Sequence, residues 1–371
     1  MTNRHSCTPT LLAIFLIAIF FNEHLHQRGV FAATLSPGTI VVGVSSDARS
    51  SPNFDTRLIA VDPNTAATSV VSANAAGTGP SLAFGPDGSY ISYITQQNDG
   101  SLLVVDDSLV DSFGGPGADE SRIYRVDPNT GNRSLILDVT GTTADKVINA
   151  ARQVGNTIFA TTNAGLETVD PSTSVVTPIA TPGLATASPL YGLTNVGNQI
   201  YVAGRTDFYK VDATTGAATA FSGPAAGTGP TIGPIDLSIG PQGQLYADAI
   251  NGTVGGVYSI DPVTGIPTAV STTVSGGTPV GSGPQLIALT IGVAQSGTIY
   301  GIGIGGGLIS IDPLTGNRTL VSQVESAPVT DVVCRGLVVL TNVPEPGGVI
   351  LGTLGCLLAI TYRYAGRKRM P

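Results

Sequence analysis

The chain is short of the residues that carry most enzyme chemistry. Only three histidines occur in its 371 residues, His5, His24 and His26, all within the first 26 positions. That segment has the features of a removable leader, and its loss leaves a mature chain with no histidine. Ser-His-Asp and Cys-His catalysis, a histidine general base and the commonest zinc sites are thereby excluded. Cysteine is as scarce: Cys7 lies near the start, Cys356 in a C-terminal apolar segment, and Cys334 stands alone between them. With no internal disulfide available to the mature domain, packing and strand pairing must hold it together. Charged residues make up 11% of the sequence, against a usual value of about a quarter. Residues 34–342 hold 23 acidic and 11 basic side chains, a net of −12. Phosphate binding needs clustered cations, so nucleic acid is not an expected partner.

Glycine, at 48 residues, and proline, at 25, are in excess. An apolar fraction of 42% with a positive mean hydropathy is the opposite of the composition that keeps a chain disordered. Runs rich in Val, Ile, Thr and Tyr alternate with Gly and Pro clusters, which predicts an all-β protein with many tight turns.

Both ends carry targeting features. Arg4 is followed by an apolar run, Leu11–Phe21, and by a polar stretch ending in Val30-Phe31-Ala32-Ala33. Basic, apolar and small-residue parts in that order read as a secretory signal peptide over residues 1–33, cleaved after Ala32 or Ala33. An 11-residue run is too short to cross a bilayer core of about 30 Å as a helix. At the other end Gly347–Tyr362 is apolar and uncharged, and Arg363, Arg367, Lys368 and Arg369 follow it. Basic residues beyond an apolar segment stay in the cytoplasm, which puts the bulk of the protein outside. Sixteen residues, several of them glycine, suit a temporary anchor better than a permanent span.

Pro344-Glu345-Pro346, the short apolar segment and the basic tail together resemble the PEP-CTERM sorting signal of bacterial envelope proteins, over residues 343–371. The resemblance implies an exosortase, an integral-membrane thiol transpeptidase, and the export machinery as partners, with a membrane-anchored stage before processing. It also implies a cell-surface or extracellular destination, in species that often make extracellular polysaccharide. An unprocessed C-terminal membrane anchor is the alternative.

Between the ends, one phrase recurs six times: a short alternating strand, then Asp, then a turn. Its aspartates are Asp62, Asp127, Asp170, Asp212, Asp261 and Asp312, spaced by 65, 43, 42, 49 and 51 residues. Pro follows five of them, and Gly closes the turn at Gly131, Gly216, Gly265 and Gly316. The Asp carboxylate can accept turn N–H groups, Pro presets φ, and Gly supplies a positive φ. Periods in the forties filled with short strands are those of propeller blades. The expected fold is therefore an all-β propeller over residues 34–342, with about six four-stranded blades. Asp236–Ala247 and Ser81–Ser92 are read as leading strand pairs. The first phrase lacks its full leading pair, and Thr330–Leu340 has strand character with no phrase after it. That C-terminal piece is expected to complete the first blade and close the ring. A seventh blade is the alternative, with Ser101–Val110 as an extra strand pair in the longest interval.

Candidate chemistry is thin. Hairpin aspartates at equal stations around a ring do not converge, so the repeated Asp reads as a turn residue. Gly301-Ile-Gly303-Ile-Gly305-Gly306 matches GxGxxG, but a strand follows it where a nucleotide site needs a helix start, and a hairpin connection fits better. The interval Asn98–Glu120 gathers Asp99, Asp106, Asp107, Asp111, Asp119 and Glu120 around Gly114-Gly115-Pro116-Gly117, oxygen ligands of the kind Ca²⁺ takes. It has no known calcium-loop spacing, so it reads as a solvated acidic loop. Asn132-Arg-Ser134 and Asn317-Arg-Thr319 match glycosylation acceptors but fall inside the recurrent turn. No catalytic, metal or cofactor residues are assigned. The expected function is a non-catalytic binding or structural module at the cell surface, with a polysaccharide or surface protein as partner. A propeller lyase or lactonase acting on a sugar-derived substrate is the alternative.

Overall fold

The structure is a computed structural model and describes residues 35–46, 56–82, 89–108, 120–140, 147–179, 184, 189–227, 232–251, 254–274, 279–303, 306–324 and 332–341. The signal peptide and the sorting segment, with Pro344, Glu345, Pro346, Arg363, Arg367, Lys368 and Arg369, lie outside the described residues, as do Asp111, Asp119 and Glu325.

Every described sheet is four-stranded and antiparallel, and there are six. The chain enters with β1 (Ile40–Ser46), β2 (Arg57–Val61) and β3 (Thr68–Ser72). Four-strand meanders follow: β4 (Ser89–Gln96), β5 (Leu102–Ser108), β6 (Glu120–Val126), β7 (Arg133–Thr140); then β8 (Ile148–Val154), β9 (Thr157–Thr162), β10 (Leu166–Val169), β11 (Val176–Pro178); then β12 (Leu193–Val196), β13 (Gln199–Ala203), β14 (Phe208–Asp212), β15 (Ala218–Ser222). The last two meanders are β16 (Gly233–Ile239), β17 (Leu245–Asn251), β18 (Val254–Ile260), β19 (Pro267–Val274) and β20 (Leu286–Val293), β21 (Ile299–Gly303), β22 (Gly307–Ile311), β23 (Arg318–Gln323). Finally β24 (Val332–Val339) pairs with β1, through Val41↔Val338 and Val44↔Cys334, giving the order β24-β1-β2-β3. The first blade is thus built from both ends of the ring, as expected.

The first strands of successive blades touch in sequence, β4 with β8, β8 with β12, β12 with β16, β16 with β20, β20 with β24 and β24 with β4. These contacts close the ring around an axis. The core is correspondingly annular, lying between blades and not inside any one of them. One cluster joins Leu58 and Val71 to Ile91 and Leu102, a second Ile59 to Ile302 and Leu308, and a third Phe208 and Phe221 to Leu237 and Tyr258. A blade is hydrophobic on both faces and cannot bury either one alone, so only the closed ring covers them all.

Two readings are corrected. Ser101–Val110 is no extra strand pair: Leu102–Ser108 is β5, the second strand of the second blade, so the ring has six blades and the alternative of seven falls. Its partner is β4, which displaces the strand pair read at Ser81–Ser92. The hairpin turn is Gln97–Gly100, where Gly100, at φ 82, donates to the Gln97 carbonyl at 3.0 Å. The earlier Gly85-Pro86-Asp87-Gly88 resembles the true hairpin turn Gly240-Pro241-Gln242-Gly243, which joins β16 to β17, and this likeness shifted the reading by one strand.

Candidate functional site

The repeated phrase is a turn at all six stations. In each, the N–H of the fourth residue after Asp returns to the Asp carbonyl, from Ala66, Gly131, Ser174, Gly216, Gly265 and Gly316, at 2.8–2.9 Å. The carboxylate is saturated locally. Asp62 accepts from Asn64 N–H and the Thr65 hydroxyl, Asp261 from the N–H groups of Val263 and Thr264, and Asp312 from Leu314 N–H and the Thr315 hydroxyl. Backbone N–H groups, led by those of Asn64, Thr215, Thr264 and Leu314, hold Asp62, Asp212, Asp261 and Asp312 below the usual carboxylate range. These groups are spread around the ring as turn residues.

The turn also locks neighbouring blades. Its closing residue is left-handed, with φ near 70° at Gly131, Gly265 and Gly316. There it abuts the carbonyl of a bulged apolar residue in the preceding blade. A Cβ would sit 2.2 Å from Val71 O at Gly131, 1.6 Å from Phe221 O at Gly265 and 2.2 Å from Val270 O at Gly316. The following serine then donates to the turn, Ser72 Oγ to Gly131 O and Ser271 Oγ to Gly316 O, each at 2.7 Å. Ser174 stands where those glycines stand, and its hydroxyl reaches the corresponding bulge carbonyl, Ile136 O, at 2.6 Å.

At two interfaces the residues after the turn form a clasp. Arg133 Nη1 donates to Ser72 Oγ and the carbonyls of Ala73 and Ala76, and its Nε to Pro80 O. Arg318 repeats this with Ser271, Thr272, Val280 and Pro284. Asn132 Oδ1 accepts from Thr78 N–H and hydroxyl, and Asn317 Oδ1 from those of Ser282. The two glycosylation-like triplets are therefore the staples of an interblade loop.

The acidic interval does not form one loop. Asp106 and Asp107 are fully buried on β5, because alternation in a strand covered on both faces takes polar residues inward with apolar ones. Asp107 accepts from Tyr90 and Ser121 hydroxyls at 2.9 and 3.0 Å, while Asp99 caps the Gln97–Gly100 turn through Ser101. The reading of a single solvated loop is thus corrected for these two residues. No group of three or more His, Cys, Asp and Glu side chains comes together among the described residues. In the GxGxxG stretch Gly301–Gly303 end β21, Gly306 N–H donates to Gly303 O, and β22 follows as the antiparallel partner of β21, so a strand stands where a nucleotide site needs a helix start.

Concave chemistry lies on the axis. A cavity of about 140 Å³ is lined by all six axial strands, with Tyr93, Arg152, Asp236, Ile291 and Leu337 among its walls. Asp236 on β16 is buried. Its Oδ1 accepts from Leu237 N–H at 2.7 Å, and its Oδ2 from Ile291 N–H and the Thr290 hydroxyl, both at 3.0 Å, across to the next blade. Burial pushes its carboxyl up to about 6, against those three donors and the more distant pull of Arg152. Tyr93 donates to Leu193 O, and burial followed by the Asp236 charge raises its phenol.

Where the channel opens toward the β4–β5, β8–β9 and β12–β13 hairpins, a second cavity of about 370 Å³ is lined by Gln96, Gln97, Asn98, Arg152, Gln153, Val154, Asn195 and Asn198, with Gly155 and Gly197. Gln96 Oε1 receives Thr341 N–H at 2.8 Å, tying the mouth to the end of the closing strand. Sequence reasoning missed this site. Its signal in the sequence was faint, a charged residue within an axial strand, as with Arg152 in β8 and Asp236 in β16.

Six four-stranded meanders around a polar axial channel, one of them completed from the far end of the chain, decide the architecture. The fold is a six-bladed β-propeller. Propellers of this kind recur among solved structures. A chain of a nidogen–laminin complex aligns over 82% of this chain and 98% of its own, at 9% identity and a TM-score of 0.53. A candidate 6-phosphogluconolactonase from Bacteroides uniformis aligns over 80% and 99%, at 13% identity and a TM-score of 0.44. The calcium-binding protein regucalcin from Agrobacterium tumefaciens aligns over 61% and 72%, at 15% and 0.40. At these identities the likeness concerns the propeller fold alone. Neither a family description nor a curated protein matches the sequence.

Proposed function

We propose that this chain is an exported envelope protein whose propeller is a non-catalytic binding module, delivered to the cell surface through a PEP-CTERM-type C-terminal signal. The observation that carries the binding reading is the state of the channel's acid. Asp236, the carboxylate among its described lining residues, accepts three hydrogen bonds from two blades. A general base must reach the proton it takes, whereas this group holds β16 against β20. Glu167, one of few glutamates in the chain, is buried on β10 and does not line the channel. A lyase or lactonase site thus gains no support from the axial residues. The delivery reading rests on the two ends of the sequence, with Pro344-Glu345-Pro346 between the folded ring and the basic tail.

Intact mass and fractionation of the native protein from its own host test both cuts. The expected product begins near Thr34, lacks the tail from about Pro344 onward, and is found outside the cytoplasm. A full-length mass in the cytoplasmic fraction overturns the delivery reading.

A further inference from the structure

The channel and its mouth meet at Arg152, which lines both cavities. Its Nε donates to Asn195 Oδ1 at 2.5 Å. Among the described residues its Nη1 and Nη2 have no hydrogen-bond partner. The opposite charge nearest in kind, Asp236, is filled by its own three donors and acts on the guanidinium only through space. A partly buried cation held at one nitrogen therefore keeps a planar two-pronged edge unmatched, and that edge is the geometric complement of a carboxylate.

The mouth beside Arg152 is polar, and its described lining carries no other charged side chain. Asn195 and Gln153 spend their amide nitrogens on the carbonyls of Gly197 and Gly155, at 2.8 and 2.9 Å, which fixes both side chains. Gln153 Oε1, Asn198 Oδ1 and the whole amide of Asn98 have no hydrogen-bond partner among the described residues. Such groups offer donors and acceptors to hydroxyls, and Val154 is the one sizeable apolar side chain in the lining. A cavity of about 370 Å³ falls within the roughly 300–1,000 Å³ of small-ligand sites.

We infer that this mouth is a binding site for an acidic sugar, with Arg152 gripping the carboxylate and Gln153, Asn198 and Asn98 reading the ring hydroxyls. A peptide carboxylate would satisfy the same guanidinium, but its backbone and side chains would need the apolar surface that this lining lacks. The inference deepens the binding reading above and rests on it.

Titration calorimetry of the full-length protein at low salt, with trigalacturonate and with maltotriose, tests it. Trigalacturonate is expected to bind at least tenfold more tightly than the neutral trisaccharide. Arg152→Lys keeps the charge and removes the fork, and should weaken binding tenfold or more. Gln153→Glu changes only a side chain at the rim, leaves the Arg152 contacts in place, and should weaken binding similarly by repelling the ligand carboxylate. Failure to bind trigalacturonate, equal affinity for the two sugars, or affinity unchanged in both variants overturns the inference. If, in addition, the immobilised protein retains no envelope polysaccharide or surface protein of its host, the binding reading falls with it.

Discussion

At Asp236 two effects oppose each other, and burial wins: three donors favour the charged carboxylate, yet its proton is held up to about 6 against an ordinary 3.8. A folded-state value above the unfolded one means that the native protein binds the proton more tightly. Stability from this group is therefore full below about pH 4 and is lost as pH rises through 6. We expect the stability difference between the native protein and Asp236→Asn to shrink as pH rises from 4 to 6, as read from urea unfolding at each pH. The variant should also be less stable throughout, because an amide presents a donor where Ile291, Thr290 and Leu237 already donate. A difference that stays constant over that window would mean that Asp236 does not titrate there. Little of this was legible in the sequence: Asp236 stands out only as a charge in a strand with no phrase of its own, and two of its three partners are over 50 residues away.

At the scale of the turn, the same six-fold phrase meets different neighbours. Ala66 and Ser174 adopt left-handed φ of 59° and 58°, where a side chain is strained. Gly131 adopts the same conformation with Val71 O against it, leaving no room for a Cβ. Ala66→Gly should therefore stabilise by about 0.5–1 kcal/mol, the relief of strain exceeding the added unfolded-state entropy. Gly131→Ala should destabilise by about 2–4 kcal/mol through clash and strain together. Denaturant midpoints with unchanged m-values would report both, and a neutral Gly131→Ala would remove the interblade lock described above. The turn itself could be read directly, since Asp, Pro and Gly fix local geometry wherever they occur. What the turn touches could not. Arg133 and Arg318 clasp Gly-Thr-Gly-Pro and Gly-Ser-Gly-Pro loops that lie more than 30 residues earlier, and only the fold brings those phrases together. The reading of Ser81–Ser92 failed for the converse reason, because Gly85-Pro86-Asp87-Gly88, which precedes β4 in the sequence, is spelled like the hairpin turn Gly240-Pro241-Gln242-Gly243.

For the whole molecule, the ring closes on the pairing of β24 with β1. Phrase counting located that closure, since one blade lacked a leading strand and one strand lacked a phrase. Deleting residues 329–342 would expose the inner edge of β1 and the apolar faces of Ile40, Val42 and Leu337's neighbours in the first and last blades. We expect the truncated chain to lose cooperative melting and to aggregate. A melt as sharp and as high as that of the intact protein would show that closure carries little of the stability.

The order of pairing also sets a timetable. Five blades are made of consecutive strands and can form as the chain appears, but β1 must wait for a partner almost 300 residues later, from Val41 to Val338. Long-range pairing of this kind is slow and leaves an intermediate with an open strand edge. The ring is therefore an incomplete arc until its final strand arrives, and the residues next to emerge are Val343-Pro344-Glu345-Pro346. Completion of the fold and appearance of that segment fall within a few residues of each other, so on the sorting function proposed above the machinery that reads it would meet the chain as its last blade becomes able to form.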